Sequence, residues 1–144
     1  MHKGTRVTAK YLFDTDTITT LLKPKPPQGL LKKIQNVEPY NQYISTITIF
    51  EISYGAHKSK NPRKYLDFLE LQVLPKGRVL TFDDTAAYMA GRIKAEKEKL
   101  GQSVSPLDHH IAAIAKANGC ILVTGNSRHF DSIPGIEVQN WIED

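Results

Sequence analysis

The sequence predicts a three-layer α/β/α fold around a central, mostly parallel sheet. Two observations carry that prediction. Short apolar runs of strand length alternate with segments of helical periodicity, and no repeat, low-complexity tract or linker interrupts them. At 144 residues the chain can bury one core, so residues 1–144 are expected to form a single domain.

Taken in order, Lys10–Phe13 reads as a short apolar strand and "TDTITTLLK" as the helix after it. The proline cluster "KPKPPQ" leads into a second helix, "GLLKKIQNV". Tyr43–Ser45 reads as a strand feeding a third helix, "TIFEISYGAHKS". In "NPRKYLDFLELQV", Tyr65, Leu66, Leu69 and Val73 recur on one side of a helix. Arg78–Phe82 reads as strand, and "DDTAAYMAGRIKAEKEKL" as a long amphipathic helix stopped by Gly101. The helix "PLDHHIAAIAKAN" ends at Gly119 in a carboxyl-cap role. "CILVT" and "EVQNW" complete the strands.

The bulk composition is that of a globular protein, with 40% hydrophobic and 24% charged residues. No apolar run approaches the ~20 residues of a membrane span. The polar start "MHKGTRVTAK" lacks the apolar centre of a secretion signal, so the cytoplasm is the expected compartment. Cys120 stands alone within "CILV", which fits a reducing compartment and favours packing over reactivity. Nineteen basic against fifteen acidic residues leave a net charge of +4, a mild excess compatible with a nucleic-acid partner.

The acids are not scattered. Asp14 directly ends an apolar strand, and Glu51 is expected in the first turn of the helix after the second strand. Asp108 is expected in the first turn of the helix opened by "SPLD", and Asn126 follows the strand "ILVT". In open parallel sheets the working crevice lies at the carboxyl ends of the strands, where all four belong. Each has a purely local explanation. Asp14 can cap the next helix, while "TIFE" and "SPLD" both fit the capping box. Caps face water, however, whereas Glu51 is embedded among Ile47, Ile49, Phe50 and Ile52. Carboxylates gathered in a partly buried pocket repel, and they stay ionised only with a cation between them. Oxygen ligands alone favour Mg²⁺ or Mn²⁺, which can activate a water and neutralise charge on a phosphodiester. The expected chemistry is metal-assisted phosphodiester hydrolysis.

"YLFDTDTI", "ISTITIFEISYG", "SPLDHHIAAIA" and "LVTGNSRHF…IPGIEVQNW" resemble, in order, the motifs of the PIN-domain ribonucleases. The match is closest to the VapC toxins of toxin–antitoxin pairs and spans about Lys10 to Trp141. The resemblance implies a Mg²⁺- or Mn²⁺-dependent endoribonuclease, often aimed at a structured RNA such as tRNA. It also implies silencing by a cognate VapB-like antitoxin, a tendency to form a homodimer, and no membrane partner. Carried over, Asp14 matches the first acid and principal metal ligand. Glu51 matches the second, which binds metal or positions the attacking water, and Asp108 the third. The fourth falls on Asn126, where many relatives carry aspartate; an amide oxygen can coordinate but brings no charge, so a second metal is expected to bind more weakly. Gly125 is expected to let that turn bend inward. Asp16, frequently asparagine in the family, is expected to support the turn or Asp14 rather than ligate.

Two other readings compete. "YLFDTDT" also fits the first motif of haloacid-dehalogenase-type phosphatases, with Asp14 as nucleophile and Asp16 as general acid. That family needs a late acidic pair and a lysine, whereas "LVTGNSRHFD" offers Asn126 and a displaced Asp131, and Glu51 and Asp108 would have no task. The other competitor is a catalytically weak RNA- or antitoxin-binding PIN domain, made plausible by Asn126.

Further residues are assigned with less weight on chemistry. Arg128 and His129, beside Asn126, are the candidates for touching the scissile phosphate. Consecutive helix residues point about 100° apart, so His109 and His110 cannot share one site; one of them could approach phosphate, but a surface position is the expectation for both. Asp83 and Asp84 are expected as cap and first-turn acids. Arg92, Lys94, Lys97 and Lys99, interleaved with Glu96 and Glu98, are expected on a solvated face. Lys23, Lys25, Lys32 and Lys33 form a basic cluster able to track an RNA backbone or simply to be solvated. Phe50 and Tyr54, one helical turn apart, are candidates for a dimer or antitoxin face.

Overall fold

A computed structural model describes residues 9–76, 78–103 and 105–143. Most of the polar start noted above lies outside these. Five strands pair in the order β3-β2-β1-β4-β5, and every pairing is parallel. They are β1 (Lys10–Phe13), β2 (Gln42–Ser45), β3 (Arg78–Leu80), β4 (Cys120–Val123) and β5 (Val138–Gln139). The helices are α1 (Thr15–Thr20), α2 (Gln28–Gln35), α3 (Thr46–Lys58), α4 (Pro62–Asp67), α5 (Asp84–Lys99) and α6 (Pro106–Ala117).

The pleat sends alternate residues of the central strands into different cores. Leu12 of β1 and Leu122 of β4 pack with Ile93 of α5 and Ile111 and Ile114 of α6. Their neighbours Phe13 and Val123 face the other way, onto Ile18 of α1, Leu30 of α2, Ile52 of α3 and Trp141. The Trp141 ring lies 5.1 Å from Tyr11 and 5.5 Å from Phe13, centroid to centroid. The sheet is thus covered on both faces, as the alternation of elements predicts.

Helix ends follow the local chemistry. Asp83 accepts the Ala86 N–H and caps α5, and Ser105 accepts the Asp108 N–H to cap α6, with Pro106 in its first turn. Gly101 and Gly119 follow the last turns with φ of 72° and 65°, a conformation that costs glycine little. Three expectations change. The helix read from "NPRKYLDFLELQV" is α only to Asp67 and continues as a π-turn over Phe68–Val73, with Leu69 buried. Lys97 is not solvated: it is buried, with its ammonium on the Ser132 hydroxyl. His109 is buried as well, at 4% exposure, because α5 packs over that face of α6.

Candidate active site

The parallel order makes β1, β2 and β4 adjacent and ends them on one edge, where the connections deliver the acids. Asp14 follows β1 on the central strand. Its N–H donates to the Val123 carbonyl at 2.8 Å, and its own carbonyl accepts from Thr17 and Ile18. Its carboxylate does double duty. One oxygen accepts the Thr15 N–H at 2.7 Å, capping α1, and the other accepts the Thr124 hydroxyl at 2.9 Å. Only 7% of Asp14 is exposed. Burial, together with the negative charges of Asp16 and Glu51, pushes its carboxyl from the usual 3.8 up to about 7, against the pull of the Thr15 and Thr124 hydrogen bonds. Asp14 is therefore both a helix cap and a strained, desolvated acid.

Glu51 stands in the second turn of α3, not the first. Ser45, the last residue of β2, caps that helix by accepting the Thr48 N–H at 3.2 Å, so the helix begins earlier than "TIFE" suggests. One turn further on, Glu51 faces the site instead of the cap, and its carboxylate accepts the Thr15 hydroxyl. Thr15 Oγ1 also lies 3.1 Å from Thr48 Oγ1. Asp108 occupies the first turn of α6, as expected. Its carboxylate does not complete the capping box but approaches His129 Nδ1 at 3.3 Å, and its side chain is 21% exposed.

Asp16 is more than scaffold for its own turn. Its Oδ2 accepts the Gly125 N–H at 3.0 Å and the Asn126 side-chain amide at 3.2 Å, and its Oδ1 lies 3.5 Å from the Thr124 hydroxyl. The loop after β4 is folded onto that carboxylate. A Cβ on Gly125 would lie 2.8 Å from Asp16 Oδ2 and 2.8 Å from Ile142 Cδ1, so the glycine is required by close approach. Asn126 offers its amide N–H to Asp16, and Arg128 and His129 are exposed on the same loop.

Asp16 and Glu51 are therefore close enough to oppose the ionisation of Asp14, while Asp108 leans on the loop after β4. Among the described residues, no three His, Cys, Asp or Glu side chains converge tightly enough to hold a metal ion as they stand. The donor chemistry nonetheless suits a hard divalent cation: all oxygen, in a hollow where one carboxyl is hard to ionise without added positive charge. The sequence had not assigned tasks to Thr15 and Thr124. Each is a hydroxyl beside a glycine or acid at the end of a strand, which is the available signal. Asp16 is poorly suited to the acid role of a phosphatase, since its Oδ2 accepts two N–H donors.

A model of the PIN domain family matches residues 11–136. The chain is 36% identical over 132 residues to a tRNA(fMet)-specific endonuclease VapC of Salmonella typhimurium, covering 92% of this chain and 98% of the relative. It is 34% identical over 133 residues to a ribonuclease VapC2 of Haemophilus influenzae, with the same coverage of each. Among solved structures, DNA-bound VapBC from Salmonella typhimurium superposes with a TM-score of 0.84 at 35% identity, over 92% of this chain and 98% of that one. FitAcB from Neisseria gonorrhoeae gives 0.84 at 26% identity, over 93% and 99%.

Proposed function

The chain belongs to the PIN domain family, and from that premise we propose that it is a Mg²⁺- or Mn²⁺-dependent endoribonuclease, the toxin of a toxin–antitoxin pair. The observation that carries the reading is Asp14: a nearly buried carboxyl at the carboxyl edge of the sheet, whose ionisation is opposed by Asp16 and Glu51. Relatives named for ribonuclease activity, one of them tRNA-specific, support RNA as the substrate and tRNA as the first class to test.

Asp14, Glu51 and Asp108 would hold the cation, with Asn126 as a neutral further donor. Bound there, it would supply positive charge to the phosphodiester and lower the pKa of a water. Convergence requires Glu51 to turn from the Thr15 hydroxyl and Asp108 from His129. The chain's own contribution is positional. Thr124 fixes one Asp14 oxygen, Asp16 holds the loop bearing Asn126, and Glu51 orients the attacking water. Arg128 and His129 reach the phosphate. A hydroxyl oxygen adds to phosphorus, one P–O ester bond breaks, and the departing oxygen takes a proton.

A VapB-like antitoxin is the proposed partner, supported by the VapBC and FitAcB complexes that this chain resembles. A homodimer is proposed on the exposed, stacked pair Phe50 and Tyr54, whose rings lie 6.3 Å apart on α3. The test is RNA cleavage by the purified chain with Mg²⁺ or Mn²⁺ and with excess EDTA. Cleavage only with the metal, lost in Asp14→Asn, is the expected result. Binding without cutting would favour a non-catalytic PIN domain, and equal cutting in EDTA would refute the metal.

A further inference from the structure

The packed face of α5 runs Ala86, Ala90, Ile93 and then Lys97, one residue per turn. A helix lying on a core carries apolar residues at that spacing, yet the fourth position here is a lysine, 3% exposed. Among the described residues Lys97 joins no ion pair. Its ammonium donates to the Ser132 hydroxyl, a neutral acceptor. Moving an ammonium out of water for such a partner is unfavourable, and an apolar side chain of similar length would avoid that penalty. The fold alone therefore gives no reason for a lysine at 97, and residues that break a local rule in this way mark functional positions.

Ser132 shows what the lysine holds. It belongs to the segment after β4, which is folded into successive turns: the His129 N–H donates to the Asn126 carbonyl at 2.9 Å, Phe130 to Ser127 at 3.0 Å and Ile133 to Phe130 at 3.0 Å. Asp16 grips one end of this segment through Gly125 and Asn126. Phe130 and Ile133 sink into the core, and Lys97 grips the far end at Ser132. Arg128 and His129 stand exposed between the two grips, with His129 Nδ1 3.3 Å from Asp108. Lys116 also reaches the segment, donating to the Pro134 carbonyl at 3.2 Å, but that contact is exposed and water can replace it. Lys97 is the buried tether.

We propose that Lys97 is a positioning residue for RNA cleavage: from α5 it fixes Ser132, and through Ser132 the turn that presents Arg128 and His129 to the scissile phosphate beside Asp108. The proposal rests on the nuclease reading above. Lys97 touches no substrate itself. Its effect is geometric, and a misplacement of about 1 Å transmitted from outside the reacting atoms can cost up to ~100-fold in rate.

Two variants of the full chain cut the tether from opposite sides. Lys97→Met keeps the length of the stem and removes the charge, whereas Ser132→Ala leaves the charge of the protein unaltered. Each should lower kcat/KM for RNA with Mg²⁺ by about tenfold or more. In EDTA each should speed amide hydrogen exchange at residues 127–133 and leave the sheet unaffected. Their stabilities should diverge. Ser132→Ala strands a buried ammonium and should melt a few degrees lower, while Lys97→Met removes that ammonium and should melt no lower than wild type. The double variant should melt like Lys97→Met and cleave no worse than either single one, as expected for two halves of a single contact. Full cleavage in either single variant would overturn the proposal. So would a Lys97→Met protein that melts well below wild type with faster exchange throughout, since Lys97 would then be a packing residue. If the wild type cut no RNA with Mg²⁺ or Mn²⁺, the nuclease reading would fall and the role in cleavage with it, whatever exchange at 127–133 showed.

Discussion

The Gly125 N–H donates to Asp16 Oδ2 at 3.0 Å, joining residues 109 positions apart. This contact holds the loop after β4 against the first turn of α1, and with it the residues flanking the site. Gly125→Ala would push a methyl group to 2.8 Å from that oxygen and from Ile142. Such overpacking typically costs ~1–3 kcal/mol. The variant should melt several degrees lower and lose most of its activity, as thermal denaturation alongside a cleavage assay would register. A melting point equal to wild type would mean that the loop can yield.

Asp14 gives a pH dependence whose sign can be worked out. Its folded pKa of about 7 lies above the unfolded value of 3.8, so the folded state holds the proton more tightly. That contribution to stability is fully present below about pH 4 and is lost as pH rises towards 7. The gap amounts to roughly 4 kcal/mol as an order-of-magnitude ceiling. In EDTA the wild type should therefore lose stability relative to Asp14→Asn between pH 5 and 8, and Asn still serves as a helix cap. Denaturant titrations of both proteins across that range are the check. Parallel curves would remove Asp14 as the strained acid.

Glu51→Gln and Asp108→Asn should each reduce RNA cleavage by at least about a hundredfold, in the range seen when a key electrostatic group is lost. Circular dichroism should be unaltered, since neither carboxylate caps its helix. Calorimetric titration with Mn²⁺ should show weaker binding in both. Unaltered binding would place the cation elsewhere.

Asn126→Asp should separate stability from affinity. The new carboxylate would replace the amide that donates to Asp16 Oδ2, setting like charges together. Melting in EDTA should fall by a few degrees, and Mn²⁺ should restore it and bind more tightly than in wild type. Equal melting with and without Mn²⁺ would show that residue 126 faces away from the ion.

Much of this site was legible in the sequence because each acid is tied to a recognisable element end. An apolar run that stops at Asp14, a "SPLD" start and a "TGN" exit fix three positions along a parallel sheet, and parallel order then gathers them on one edge. What escaped depended on packing. The start of α3 differs because Ser45, the last residue of β2, caps the helix three residues before the Thr48 box would, and both patterns are locally valid. Lys97 and His109 sit in charged or polar stretches that pattern as solvated, and only the crossing of α5 over α6 buries them. The partners of Asp16 lie across the sheet connection, where no local spacing can reveal them.

Every hydrogen-bonding group of Asp14 is engaged: amide, carbonyl and both carboxylate oxygens. Glu51 and Asp108 are held through single side-chain contacts from helices outside the sheet. The hollow thus has one immovable wall and two that can swing. Slow amide exchange at 14–18 beside rapid rotamer hopping at 51 and 108 would be its dynamic signature. Assembly around an ion would then be a closing of the outer helices' side chains upon a stationary anchor, with the backbone left undisturbed.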